Sequence, residues 1–467
     1  MSGPARVSAW AGAIRAWGRL HPLRLQLGGL VVVALAARVG YVLGTGSFAP
    51  IHDALDYYAR GVYIFEHHRL INEPGTGVPG RPALPDAYWP PFYMIFLAFC
   101  DGLTRVFLFL GISTVEMPRL VQALLGSAGV GLLGLIALRL FGRRAALATA
   151  AIAAVFPAMI EVGASLDSES LLVPLMIGAV AAVVEYRHRP RRWLPVAAGA
   201  LTGLAWLTHS DGAILVVPLA VGLWPRGGLR LRAPRRVAWR AFAPLVSLLA
   251  VCALVISPWT VRNAVKFHAF VPISLSLGNT LAGTYNSATQ HRKVNRGVWI
   301  IPWNLPYYYA VFHTPGESEV TQNSRATALA IRFIEHNPGY VAQVWLWNTE
   351  RLLDVAGFRR SDQTAYWQGI SAGANHVAVY AFWVIGLLAL AGAFTTPVRR
   401  GQRWIWLAPL LLYLGVVFLQ SDTPRFRAPV DPYLTILAGV AASQGWPRLA
   451  ALARRRRPGG HAEYANT

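Results

Sequence analysis

The chain has 467 residues, 55% of them hydrophobic and only 14% charged, and its 43 basic against 21 acidic residues leave a formal net charge of +22. Soluble domains carry about 25% charged residues, so a string of soluble domains is excluded. So is a disordered chain, which lacks this much apolar and aromatic residue. Charge of this size suits nucleic acid, whose phosphates Lys and Arg neutralise, or the loops on one side of a membrane.

Ten apolar windows are predicted as membrane-spanning helices: 25–45, 119–141, 145–161, 170–186, 193–208, 211–225, 241–258, 376–396, 403–420 and 430–446. A hydrocarbon core of roughly 30 Å takes about 20 apolar residues, and a helix satisfies its own backbone polar groups there. Threaded this way, the loops and termini on one side hold 25 basic residues and one acid, Glu463. By the positive-inside rule that side is the cytoplasm, with both termini in it. The excess charge is thus an orientation signal, attracted at most to anionic membrane lipids, and nucleic acid is not expected as a partner.

The predicted organisation is a cytoplasmic segment 1–24, a membrane module 25–258 containing an outer loop 46–118, an outer region 259–375, membrane helices 376–446 and a basic tail 447–467. The first span reads as a retained signal anchor. Residues 90–112 are apolar but open with Pro90-Pro91 and carry Asp101 and Arg105. A crossing there would put Arg139, Arg143 and Arg144 outside, so the stretch is expected to lie on the outer surface or dip in and return. Cys100 and Cys252 form no framework or metal pattern.

Acids gather on the predicted outer side, seven of them in the first loop alone. In His52-Asp53-Ala54-Leu55-Asp56-Tyr57-Tyr58-Ala59-Arg60, positions 53, 56, 57 and 60 share a helix face. The two carboxylates suit a general base or a cation ligand, or simply a helix cap with an Asp56–Arg60 pair. The turn Ser165-Leu166-Asp167-Ser168-Glu169 reads as a capped solvated turn or as a second acidic position. In Pro258-Trp259-Thr260-Val261-Arg262-Asn263, Arg262 is an interfacial anchor or a phosphate ligand. Arg425 and Arg427, basic on the acidic side, point to an anionic ligand or to lipid headgroups. His209-Ser210-Asp211 reads as a wet turn, since neighbours in sequence cannot form a triad by themselves.

Taken in order, these segments resemble the integral-membrane GT-C glycosyltransferases, family 39-like, of the protein O-mannosyltransferase and aminoarabinose transferase group. The matching residues are His52-Asp53 with Tyr57, Tyr88-Trp89-Pro90-Pro91-Phe92-Tyr93, Arg139 to Arg144, the acidic turn 166–169, Gly203 to His209, Pro258 to Asn263 and Arg425 to Pro429. The chain departs from the family pattern with Ala54 after Asp53 and His209 after Thr208. The resemblance implies an all-α polytopic fold and an inverting transfer of a sugar from a polyprenyl phosphate to a glycan, lipid or protein hydroxyl. It implies Asp53 as general base, Arg262, Arg425 and Arg427 on the phosphate, and Glu169 or Asp167 as the second acid. Asp56, Tyr57, Tyr88 and His209 are further candidates. A divalent cation, Mg or Mn, held by Asp53 and Glu169, is a further expectation. The expected location is a bacterial plasma membrane with the site on its outer face; the Arg-rich, Lys-poor composition suggests a high-GC genome, which bears on codons and not on function. The rivals are a transporter or glycolipid flippase, for which internal repeats would be expected, and a glycan ligase or polymerase.

Overall fold

The structure is a computed structural model that describes residues 22–69, 87–225, 235–419 and 425–455. Most of the expected segment 1–24, part of the basic loop 226–240 and the end of the basic tail fall outside the described residues. Among the described residues the chain is helical, with no strand.

Helix α1 (Pro22–Gly44) fills the first predicted span, and α2 (His52–His67) and α3 (Phe92–Val106) follow it in the 46–118 segment. The next six windows hold α4 (Glu116–Phe141), α5 (Arg143–Val155) with α6 (Pro157–Ala164), α7 (Glu169–His188), α8 (Trp193–Thr208), α9 (Val216–Leu223) and α10 (Arg235–Phe267). Six helices lie within 259–375: α11 (Leu277–Thr284), α12 (Ser287–Gln290), α13 (Pro306–His313), α14 (Glu319–His336), α15 (Pro338–Leu352) and α16 (Phe358–Trp367). Then come α17 (Ala372–Ala393), the short α18 (Thr396–Arg400), α19 (Leu407–Leu419) and α20 (Asp431–Arg455).

Every predicted window therefore contains helix. Among the described residues, five helices are long and apolar enough to cross a membrane, or six if α5 and α6 form one span bent by 53°. Three shorter apolar stretches, Trp193–Thr208, Ser210–Leu223 and Arg403–Leu419, occupy further windows. Val32, Leu254, Val384, Leu387 and Leu390 stand exposed along these helices, which an aqueous surface would disfavour and lipid accepts. The chain is a multi-pass membrane protein. Helix α3, at 15 residues, is short of a crossing; it buries Tyr93, Met94, Leu97 and Cys100, while its last residue, Val106, and Phe107 to Leu110 after it are exposed.

Close helix contacts use small residues, as membrane interfaces do. A Cβ at Gly199 of α8 would stand 2.5 Å from the Leu248 carbonyl oxygen of α10, and one at Gly392 of α17 would strike the Leu437 carbonyl of α20.

Breaks in the helices are repaired by side chains. Pro157 has no N–H, so the Ala153 carbonyl loses its helical donor, and Phe156 ahead of it is extended. Arg38, only 2% exposed inside α1, donates to the Ala154 oxygen at 3.2 Å and to Ala153 at 3.3 Å. The last carbonyls of α19 lack intrahelical partners. Asn348 donates to Val417 O (2.9 Å), Tyr285 to Phe418 O (2.5 Å) and Thr284 to Leu419 O (2.8 Å). At the end of α10, Trp259, Thr260 and Asn263 donate to the carbonyls of Ile273, Pro272 and Val271 at 2.6, 2.8 and 3.1 Å. These bonds fasten the 259–375 helices to the bundle.

Substituting Arg38→Leu strands the two carbonyls at the α5–α6 break, at a cost of about 1–3 kcal/mol for each buried acceptor left unpaired. The expected result is a lowered Tm for the purified protein in detergent, with Arg38→Lys intermediate. An unchanged Tm for Arg38→Leu would remove the carbonyl-repair role.

Candidate active site

A cavity of about 870 Å³ opens where α2, the turn before α7, the turn after α8 and the 259–375 helices meet. Asp53, Asp167, His209, Asp211 and Arg425 line one part of its wall, and Tyr88, Trp89, Asn279, Trp299, Trp367 and Gln368 line others. Polar groups set among aromatic rings are the ordinary make-up of a small-molecule site.

Asp53 sits in the first turn of α2, where the extended Ile51 opens the helix. His52, between them, has φ of 52°, a left-handed conformation that non-glycine residues seldom adopt and that often marks functional positions. Its imidazole packs 5.1 Å from the Trp367 ring. The acidic turn is built by several carbonyl contacts. Arg119 donates to Ala164 O at 2.8 Å, Gln122 to Ser165 O at 2.7 Å, and Ser170 to Asp167 O at 2.6 Å. Tyr93 donates to Gln122 at 3.1 Å, bringing α3 into the same support.

Arg425 lies in a short 3-10 turn, Arg425–Arg427, ahead of α20. Its Nη1 pairs with Asp53 Oδ2 at 2.7 Å and with Asp167 Oδ1 at 3.2 Å, while its Nε pairs with Glu169 Oε1 at 2.7 Å. One guanidinium thus gathers acids from three places in the chain. Glu169 and Asp167 are sealed (side chains 1% and 2% exposed), whereas the Asp53 side chain is 44% exposed. Asp53 is the member most open to the cavity, and its Oδ1 has no protein partner among the described residues.

Burial works against charge on Arg425, yet Asp167, Glu169 and Asp53 together hold its pKa well above the ordinary value. Burial pushes Asp167 up to about 7, with Arg425 pulling it down and Glu169 and Asp53 pushing it further up. Burial likewise lifts the Tyr57 hydroxyl far above its usual range, so it stays protonated and donates to Ser168 at 3.3 Å.

The other predicted residues fall at several distances from this centre. Tyr57 packs beneath it, 4.8 Å from Trp89 and edge-on to Tyr93. Tyr88 lines the cavity and accepts from Asn279 at 2.5 Å. His209 stands with Nε2 3.7 Å from Glu169 and accepts at Nδ1 from the Asp211 backbone N–H at 3.2 Å; all of His209-Ser210-Asp211 lines the cavity. Asp56 is buried away from it, accepting from Arg60 at 3.0 Å and from the Trp89 indole at 2.5 Å, and so fixes the aromatic-Pro-Pro segment.

Two of the three predicted phosphate ligands point elsewhere. Arg262 lies over the Trp259 ring at 4.6 Å and is not part of the cavity lining. Arg427 is buried on the far side of its turn, bonded to Asp354, to Asp431 at 3.1 Å and to Leu352 O at 2.9 Å, over the Phe382 ring at 3.5 Å. The suggested cation ligands Asp53 and Glu169 are both engaged by Arg425, which a divalent ion would have to displace. Among the described residues no group of three or more His, Cys, Asp or Glu is placed to hold a metal ion. As they stand, these residues do not fit the ion, and no step is derived through it. Asn279, Arg360, Trp367 and Gln368 also line the cavity and belong to no motif singled out in the sequence.

Residues 95–261 match the model of the family described as dolichyl-phosphate-mannose-protein mannosyltransferase. This match takes in the acidic turn and His209, while Asp53 and Arg425 lie outside it. Among solved structures, the chain is similar to the archaeal oligosaccharyltransferase AglB from Archaeoglobus fulgidus in complex with an inhibitory peptide and a dolichol-phosphate. The identity is 15% over 96% of this chain and 53% of that one, with a TM-score of 0.51. It is also similar to the Archaeoglobus fulgidus oligosaccharyltransferase tethered with an acceptor peptide, at 14% identity over 95% and 52% of the two chains and a TM-score of 0.54. ArnT from Cupriavidus metallidurans in the apo state matches at 18% identity over 92% and 77%, but at a TM-score of 0.38, a likeness too weak to carry an argument. The chain spans about half the length of the oligosaccharyltransferases. Comparison with curated proteins gives no match. The chain shares the all-helical membrane fold of these archaeal oligosaccharyltransferase structures.

Because Asp167 ordinarily titrates near 3.8 and in the fold near 7, the unfolded chain loses this proton first as pH rises. Stability is therefore expected to fall between those two values and level off above. Thermal unfolding of Asp167→Asn across the same range should show a flatter profile than wild type. Identical slopes would dismiss Asp167 as the titrating group.

Proposed function

We propose that the chain is an inverting glycosyltransferase that moves a sugar from a polyprenyl-phosphate donor to an acceptor hydroxyl at the outer face of a bacterial plasma membrane. The observation that carries this reading is the convergence of Asp53, Asp167 and Glu169 on Arg425 at the wall of an aromatic-lined cavity. A membrane-embedded enzyme working outside the cell has no nucleotide sugars there, so a lipid must carry the donor.

In this reading the acceptor hydroxyl approaches Asp53 through Oδ1, the oxygen that Arg425 leaves unpaired. Its oxygen attacks C1 of the sugar and its proton passes to the Asp53 carboxylate. The C1–O bond to the lipid phosphate breaks with its electron pair going to the phosphate, and the configuration at C1 inverts. Arg425 acts by holding Asp53 in one orientation, and Asp167 with Glu169 fixes Arg425. The Trp89, Trp299 and Trp367 rings supply apolar faces on which a sugar ring can lie. The fold and the large wall contributed by 259–375 favour an enzyme over a transporter.

Asp53→Asn keeps the shape of the side chain and removes its basicity. In membranes supplied with a radiolabelled polyprenyl-phosphate sugar, transfer is expected to fall by roughly 10²- to 10⁴-fold with protein level unchanged. Transfer at the wild-type rate would eliminate Asp53 as the base.

A further inference from the structure

Buried polar atoms in a folded protein are almost always paired, and one that is not calls for an explanation. Asn279 on α11 and Gln368 just after α16 both line the cavity, and each carries such an atom. Both residues are nearly sealed, at 4% and 5% exposure. Gln368 donates from Nε2 to the Thr364 carbonyl oxygen at 3.2 Å. A carbonyl can only accept, so the amide nitrogen is fixed there, and Oε1 is the end without a partner among the described residues. Asn279 donates from Nδ2 to the Tyr88 hydroxyl at 2.5 Å, and its Oδ1 likewise has no partner among the described residues. A hydroxyl gives or takes a proton, so whichever way this amide is turned one of its ends stays unpaired.

Each amide also has an indole of the cavity lining for a neighbour. Trp299 donates from Nε1 to the Asn279 backbone oxygen at 3.2 Å, which holds its ring next to α11. Trp367 is the residue before Gln368, and its ring lies 5.1 Å from the imidazole of His52, the neighbour of Asp53. A sugar ring has both halves of the complement: apolar C–H faces for the indoles, and hydroxyls, at once donor and acceptor, for the amide ends. The phosphate of a glycosyl lipid, a diester, has acceptors only and offers nothing to Gln368 Oε1. A lipid chain would leave both amides desolvated and unpaired.

We infer that Asn279 and Gln368 are the residues that recognise the donor's sugar, each by a hydrogen bond from its free amide end to a ring hydroxyl. The inference rests on the lipid-phosphate reading above and deepens it, naming specificity residues that no motif in the sequence indicated. It makes this part of the cavity selective for rings that bear hydroxyls, because a site built to bond a hydroxyl rejects an analogue lacking it. Both residues belong to the 259–375 region, whereas the base at Asp53 belongs to the 46–118 segment. One part of the chain thus holds the sugar and another delivers the attack on it.

The test uses the full-length purified protein in detergent, with binding read by quenching of tryptophan fluorescence. The probes are a bare polyprenyl phosphate, its cyclohexyl ester, and its mannosyl, galactosyl and arabinosyl esters. In the wild-type protein at least one glycosyl ester should bind more tightly than the cyclohexyl ester, whose ring has no hydroxyl. Gln368→Met and Asn279→Leu should each cut that gain by roughly 3- to 10-fold, the range for one neutral hydrogen bond, and leave binding of the bare lipid phosphate at its wild-type level. Should one variant fail to fold, the other carries the test, and the comparison of cyclohexyl with glycosyl esters needs neither. A gain that survives in both variants would overturn the inference, since only water would then pair these amides. So would the absence of any gain in wild type, or an equal loss of bare-lipid binding in the variants, the mark of a merely structural role. Failure of the wild-type protein to bind any of the probes would instead overturn the lipid-phosphate reading itself.

Discussion

A guanidinium sealed beside a membrane and surrounded by three carboxylates is a severe constraint on a chain. Each of these charges pays several kcal/mol to leave water, and only mutual pairing returns it. Arg425, Asp167 and Glu169 are buried, so none can be left alone without destabilising the others. Residues 53, 167, 169 and 425 must therefore come to one point, and the first helix of the 46–118 segment, the turn between α6 and α7, and the turn before α20 are located by it. Three carboxylates against one arginine leave a surplus of negative charge, and Asp53, the exposed member, faces the cavity with it.

The same accounting of polar groups governs the membrane helices. A kink or a helix end inside lipid exposes carbonyls that no water will satisfy. Arg38 serves the break at Pro157, and Asn348, Tyr285 and Thr284 serve the end of α19. Trp259, Thr260 and Asn263 do the like for residues 271–273. Buried polar side chains here are as often joints as reagents. The conspicuous Pro258-to-Asn263 motif owes much of its composition to this joint.

The apolar windows were legible because the bilayer imposes a length and a composition on a helix, and each of the ten contains one. The acids at 53, 167 and 169 were legible because carboxylates at a membrane boundary are few. Partnership was not. Arg425 and Arg427 are equivalent in sequence, two residues apart, yet a tight turn sends one to the cavity and the other to Asp354 and Asp431. Asp56 looked like a second reagent beside Asp53, but it is committed to Arg60 and Trp89. Arg360, Trp367 and Asn279 sit in short helices without motif or period, brought to the wall by contacts far apart in sequence, which no local pattern encodes.

The opposed arginines also explain how so small an element can hold a site. The 3-10 turn Arg425–Arg427 has few backbone bonds of its own to fix it. Arg427 ties it on one side to Asp431 of α20, to Phe382 of α17 and to Asp354, which has a left-handed φ of 55° just ahead of α16. Arg425 ties it on the other to α2 and to the acidic turn. A shift of α16 would thus be felt at Asp354, then at Arg427, and through the turn at Arg425 and Asp53. Helix α16, whose Trp367 lines the cavity, is in this way mechanically joined to Asp53 on the cavity's other wall, and the two walls are held in register by one buried turn.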